Sequence, residues 1–459
     1  MSRAQNSSRN SSRRHVTRWL LLALFALAAG FLPASDPVPG RAQTGPIAIV
    51  GVTVHPIDRD PFANGTVLFD GGKITAIGSG IRLPAGTQVI DGTGKHLYPG
   101  LIAPSTQLGL IEIGAVRATR DQIEVGSMNP NIRAEISVNP DSEHIPVARA
   151  NGIALAVTRP GGGRISGTSA LLRLDGWTWE DLTVEAPLGL ELHWPYLASG
   201  GRGRRGRGNP EAAARAERER DIILARIDET FAAAEAYVKA RPTAASGKVD
   251  GDAPDLRMEA LRPVLSGEIP VFLHAEDARQ IRSSVEWALG RHLRPIIVGG
   301  RDAPLVAAFL AERNVPVIYG PIHRLPSRRD EDFSAPFEGP ATLEAAGVKF
   351  AIGAFDTSNV RNLPYHAATA AAYGLAPEAA LRSITLSAAE ILGVADRYGS
   401  ITLGKSATVI LTDGDPLEIA TQVEAMWIDG VAVDLNSRHT QLYGKYTEKL
   451  NRGKRVGRF

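Results

Sequence analysis

The chain has 459 residues, 44% of them hydrophobic and 22% charged, which excludes a wholly disordered chain, a collagen and a polytopic membrane protein. It has no cysteine, so disulfides, Cys-ligated zinc, iron–sulfur clusters and a thiol nucleophile are excluded, and any metal would rest on His, Asp, Glu or a modified Lys. The net charge of +2 conceals an asymmetry: residues 1–42 hold six arginines against the lone acid Asp36, and without them 51 basic and 49 acidic residues become 45 and 48, a net −3 that points to neither nucleic acid nor an anionic membrane as partner.

Residues 1–18 are basic and free of acids, and an apolar run follows from Trp19 to Leu32. The run is shorter than the span of about 20 residues needed to cross a bilayer, and it fits the core of a secretory signal. Small residues after it place cleavage after Ala42 or near Ala34–Ser35; Ser12-Arg13-Arg14 hints at the twin-arginine route, and an uncleaved anchor is the alternative. The expectation is a signal peptide over 1–42 and an exported, periplasmic protein.

Residues 47–56 are β-branched and alternate as a strand does. Gly65–Ile77 reads as strand, turn, strand, with Asp70-Gly71-Gly72 as the turn. A further short strand surrounds Val89-Ile90. Near the other end come Ser406–Thr412, Ala425–Ile428 and Val431–Val433. Strands from both termini therefore enclose a middle of different texture. There the strand candidates are Gly100–Ala103, Ile153–Val157, Ala170–Leu174, Pro270–Leu273, Pro295–Val298, Val315–Tyr319 and Val348–Ile352. Helix candidates include Pro210–Lys239, Asp277–Leu289, Ala303–Arg313, Tyr365–Tyr373 and Pro377–Leu392. Runs such as VFL and PIIV are apolar on both faces, as buried parallel strands are, and repeated β-then-α order favours an eight-stranded barrel over a doubly wound sheet. The Gly/Arg tract Ser199–Gly208 reads as an exposed loop rather than an RNA-binding segment, because no aromatic residue is interleaved with it.

The segment Asp91–Ile102, DGTGKHLYPGLI, resembles the opening of the barrel in metal-dependent amidohydrolases of the imidazolonepropionase-like type. The similarity continues through Gly347–Asp356, Ala388–Val394, Gly399–Ile410 (GSITLGKSATVI) and Asp413–Pro416, and so covers roughly 390 residues. The resemblance implies an α/β fold: a TIM-type (β/α)8 barrel over 96–395 and a small β-sandwich domain built from both ends of the chain, 45–95 and 396–436, followed by a C-terminal tail, 437–459. It also implies hydrolysis of carbon–nitrogen bonds other than peptide bonds, in a small amide or cyclic amide, by water on a divalent metal, zinc above all.

Two residues match the ligand pattern of that family. His274 ends an apolar strand and matches its fifth-strand histidine; Asp356 matches its eighth-strand aspartate, which binds metal and takes the proton from water. Other positions differ. Ser105-Thr106-Gln107 stands where the family places His-x-His, and Ala103 where an aspartate usually precedes it. Pro295–Gly300 lacks the sixth-strand histidine, and the carboxylated lysine has no counterpart, since Lys239 falls on a helix and Lys248 in a loop. A hydroxyl and a neutral amide are poor substitutes for two imidazoles on a transition metal.

Further polar groups follow strand candidates and would face the C-terminal end of a barrel, where this fold carries its sites. They are Glu276, Asp277, His323 beside Arg324, and His366. Taken singly, His323 and His366 read as capping or loop groups, and His274 reads equally as a core histidine. The turn Arg159–Gly167 offers backbone N–H groups to an anion with help from Arg159 and Arg164, or is a tight structural turn. The expected substrate-binding set is Arg159, Gln107 and His323. Two functions follow: a hydrolase with Asp356 as its catalytic group and a metal on His274 and Asp356, or a non-catalytic relative binding a small ligand or partner protein through Gln107, Ser105 and Arg159. The expected partner is a small molecule, with no nucleic acid, membrane contact only through an uncleaved signal, and a homo-oligomer compatible with either function.

Overall fold

The computed structural model describes residues 38–196, 210–241, 253–329 and 331–456. The expected signal segment up to residue 37, the Gly/Arg tract Ser199–Gly208 and Lys248 lie outside them.

Five strands precede the barrel: β1 (Ile47–Val54), β2 (Phe62–Asp70), β3 (Lys73–Gly78), β4 (Gln88–Asp91) and β5 (His96–Pro99). The β2–β3 hairpin turns at Gly71 and Gly72, with φ of 54° and 78°, the left-handed pair that a two-residue hairpin of this hand requires. Gly51, at φ 71°, breaks the register of β1 between Val50 and Val52. The first half of β1 then pairs in parallel with β4 and its second half with β5.

Gly100 carries the chain out of this sheet into the barrel, and a Cβ there would sit 2.5 Å from Ala154 Cβ. The barrel strands are β6 (Leu101–Thr106), β7 (Ile153–Thr158), β8 (Ile165–Arg173), β9 (Thr183–His193), β10 (Val271–Ala275), β11 (Pro295–Gly299), β12 (Val317–Tyr319) and β13 (Phe350–Ile352). They form one eight-stranded sheet in sequence order, and β13 returns against β6 so that the sheet nearly closes. Leu155, Leu190, Leu273, Ile297 and Ile318 are fully or almost fully buried, as strands covered on both sides require.

One strand departs from the all-parallel expectation. β8 runs antiparallel to both β7 and β9, while the remaining pairs are parallel. The cause is the length of the connection: residues 159–164 join β7 to β8, and a parallel return needs a dozen or more residues. The barrel is thus of the (β/α)8 type with its third strand reversed.

After the barrel, β14 (Val409–Thr412), β15 (Val423–Ile428) and β16 (Val431–Ala432) rejoin the first sheet, giving the order β16-β15-β14-β5-β1-β2-β3. A separate core holds this β domain together, with Ile49, Val52, Val67 and Phe69 from the first part of the chain meeting Ile401, Val409 and Trp427 from the last. Both ends of the chain therefore build one domain.

Candidate functional site

Four strand ends converge at the C-terminal mouth of the barrel. Alternation places Gly189, Glu191 and His193 of β9 on one face and Leu188, Leu190 and Leu192 on the other. His193 is the register partner of His274 on β10, so their rings stack, with centroids 4.1 Å apart. Glu191, almost fully buried, meets His274 through Oε2 and Nε2 at 2.6 Å. From the other side of β8, Arg159 follows β7 and donates its Nε–H to Ser105 Oγ on β6 at 2.8 Å. Arg159 follows β7 and the Glu191–His274 pair stands on β9 and β10, yet the two act on one another electrostatically across β8.

Burial sets the charges of this group. It pushes Glu191 up to about 7, against the pull of Arg159, a hydrogen bond from Ser169 and His193. It pushes His193 down to about 2, aided by His274 and Arg159, and drives His274 well below the ordinary histidine value, again aided by Arg159. Both imidazoles are therefore neutral at neutral pH, and Glu191 is the group there that exchanges a proton near pH 7. His193 Nε2 is buried and without a hydrogen-bond partner among the described residues. The side-chain amide of Gln107 lies against the Arg159 turn: a Cβ on Gly161 would come within 2.9 Å of its Nε2.

A second group forms around β12 and β13. Phe355, at φ 58°, turns the chain sharply after β13 and presents Asp356. Asp356 Oδ1 accepts the N–H groups of Thr357 at 2.5 Å and Ser358 at 2.9 Å, and Oδ2 accepts Asn359 Nδ2 at 2.7 Å. Burial opposes ionisation here, but the hydrogen bonds from Asn359, Ser358 and Thr357 outweigh it and hold Asp356 below the usual carboxylate value. His323 and His366 stack at 4.1 Å, and His366 Nδ1 accepts the N–H of Ile322 at 3.2 Å. Burial and then His323 push His366 down to about 3, while Asp356 pulls it up. His323, exposed, meets Thr369 Oγ1 at 2.8 Å.

The sequence-predicted residues thus fall into two sets. Arg159, Ser105, Gln107 and His274 come together; His323 and Asp356 belong with His366. The carboxylates next to His274 are used elsewhere: Asp277 caps the helix Ala278–Gly290 by accepting the N–H of Arg279 and Gln280, and Glu276 accepts Arg301 N at 3.1 Å. Sequence reading misses Glu191 and finds no ligand-like spacing at His193, although the alternation L-G-L-E-L-H over Leu188–His193 carries the signal.

The sequence pattern of the amidohydrolase family matches residues 340–454. Amidohydrolase tasK of Hapsidospora irregularis is 23% identical over 432 residues, 86% of this chain; the chain spans 42% of the length of that relative. Among solved structures, an amidohydrolase from Thermotoga maritima MSB8 superposes with a TM-score of 0.74 at 28% identity, over 84% of this chain and 99% of its own. The chain is similar to amidohydrolases in sequence pattern over residues 340–454 and in fold over most of its length. A prolidase solved with N-methylphosphonate-L-proline shares the fold at a TM-score of 0.52 and 18% identity, over 85% of this chain and 99% of its own.

The mouth lacks the ligand pattern that the resemblance to metal-dependent amidohydrolases implies. No three His, Asp or Glu side chains among the described residues converge so as to hold a metal ion. Three features account for this. Ser105 and Gln107 offer no imidazole, the Glu191 carboxylate is engaged with His274, and Asp356 is closed by its own turn. The Arg159 guanidinium adds a fixed positive charge in the same space, which opposes a second cation. The residues present therefore do not fit the zinc ion expected on His274 and Asp356, which among the described residues belong to separate groups.

Proposed function

We propose that this protein hydrolyses a carbon–nitrogen bond of a small molecule, with Glu191 and His274 handling the proton. The observation that carries the reading is the 2.6 Å hydrogen bond between Glu191 Oε2 and His274 Nε2 at the C-terminal ends of neighbouring parallel strands. A carboxylate accepting from Nε2 fixes the imidazole tautomer and leaves the lone pair on Nδ1. His274 then takes the proton from water as its oxygen bonds to the carbonyl carbon, Glu191 stabilises the imidazolium that forms, and the proton passes to the nitrogen as the C–N bond breaks. None of these steps passes through a bound ion.

The missing imidazoles at positions 105 and 107 favour a second reading, a barrel that binds a small ligand without turning it over. Turnover separates the two. Purified protein is assayed against acyclic amides, cyclic amides and substituted ureas, beside Glu191→Gln. The proposal expects hydrolysis of at least one class and a loss of 10²–10⁴-fold in the variant, the range of a general base. Absence of any hydrolysis, or a variant as active as the parent, contradicts it. Export of the chain remains part of the proposal, supported by the basic residues 1–18 ahead of the apolar run Trp19–Leu32.

A further inference from the structure

Several buried or half-buried arginines among the described residues have carboxylate partners, and Arg159 does not. Arg149 pairs with Asp175 at 2.6 Å, Arg324 with Glu331 at 2.7 Å and Arg301 with Asp302 at 3.3 Å. Arg159 has a neutral partner, the Ser105 hydroxyl, and among the described residues no carboxylate lies within ion-pair distance of it. Glu191, the carboxylate whose charge it feels, is held by His274. A guanidinium taken out of water without a counter-ion is costly, and such groups are rarely buried unpaired.

The surroundings of Arg159 are built to receive a negative charge. Ser105 takes the Nε–H, so the Nη groups of the fork remain for a planar acceptor, and a guanidinium matches a carboxylate through two parallel N–H···O bonds. Gly162 and Gly163, at φ of 78° and 66°, fold the chain back directly after Arg159, and a Cβ at Gly161 would meet Gln107 Nε2 at 2.9 Å. That turn brings an amide donor to the same edge of the mouth. The neutral rings of His193 and His274 add no competing charge of either sign.

We infer that Arg159, with Gln107 beside it, anchors a carboxylate carried by the substrate, so that the molecules this site takes are amides bearing an acid group, such as N-acyl amino acids. The inference rests on the hydrolase reading for the word substrate; the anion site itself stands apart from turnover. The charge that a metal supplies in other sites is here a fixed side chain, and its ligand is an anion from solution.

Binding is measured by calorimetry with the full chain in chelator-treated buffer. The probes are N-acetylglycine, N-acetyl-L-alanine, N-acetyl-L-proline and N-acetyl-L-phenylalanine, each beside its uncharged C-terminal amide. The acids are expected to bind at least tenfold more tightly than their amides. Arg159→Met is expected to abolish that preference and Arg159→Lys to keep part of it; Gln107→Leu, which leaves the arginine in place, is expected to reduce it. A preference absent for all four pairs in the parent protein, or undiminished in Arg159→Met and Gln107→Leu, overturns the inference. Should Arg159→Met not fold, Gln107→Leu and the parent pairs decide alone. Acid-selective binding without hydrolysis removes the enzyme and keeps the anion site; hydrolysis of neutral amides at equal rate in Arg159→Met does the reverse.

Discussion

Glu191 and His274 stand on adjacent parallel strands and share a hydrogen bond of 2.6 Å in the interior of the barrel mouth. Burial favours the neutral form of each partner, so the pair carries a proton that comes and goes near neutrality.

Glu191→Gln tests that proton. With Glu191 near 7, a reaction needing its carboxylate loses rate as pH falls through 7, and this acid limb should be missing from whatever rate the variant retains. The sign for stability is opposite to that of an ordinary carboxylate. The folded value lies above the unfolded one, so the neutral group favours the folded state below about pH 4.5, and that contribution is lost as pH rises to about 7. Urea midpoints across pH 4–8 should therefore fall less steeply towards high pH in the variant than in the parent.

The buried histidines act the other way. His366 is held near 3, against an unfolded value of 6.5. Above pH 6.5 this has no effect on stability; below it the unfolded chain takes a proton that the folded chain refuses, and stability falls towards pH 3 by about 1.4 kcal/mol per pH unit. His366→Gln keeps an acceptor for the N–H of Ile322 and should flatten the acid slope by about one proton. An unchanged slope would mean that His366 titrates normally in the folded chain.

Packing beneath the site is tight at Gly189. A Cβ there would lie 2.4 Å from the Phe272 ring and 3.1 Å from the Pro270 carbonyl oxygen. Gly189→Ala should destabilise by about 1–3 kcal/mol, the cost of overpacking a core. Phe272 shares its strand face with His274, so activity should fall as well. Gly290→Ala, which meets nothing within 4 Å at the exposed last residue of the helix Ala278–Gly290, is the control and should change neither.

Much of this architecture was written locally. The alternation of Ile47–Val54, the Asp-Gly-Gly turn and the late strand around Val409–Thr412 announced a β domain made from both ends, and Pro99-Gly100 announced the passage into the barrel. β9 was hidden because its first half, Thr183–Pro187, is polar and broken by proline, and its pattern becomes regular only from Leu188. With that strand hidden, Glu191 and His193 had no face to share. The reversal of β8 is not legible from a strand candidate that begins at Ala170, because the short link 159–164 appears only once β8 is seen to start at Ile165. Asp356 shows the limit of reasoning from strand ends: the Asp-Thr-Ser-Asn run after β13 closes into a turn that satisfies its carboxylate locally. Which distant side chains converge on Arg159 depends on barrel closure, and no local pattern encodes that.

The central claim is that the charge at this mouth belongs to Arg159 and the Glu191–His274 pair and not to a bound ion. Elemental analysis of protein incubated with excess zinc and then desalted tests it most directly, with His274→Ala analysed in parallel. The account predicts far less than one zinc per chain and no difference between the two proteins. One zinc per chain, lost in His274→Ala, would contradict it.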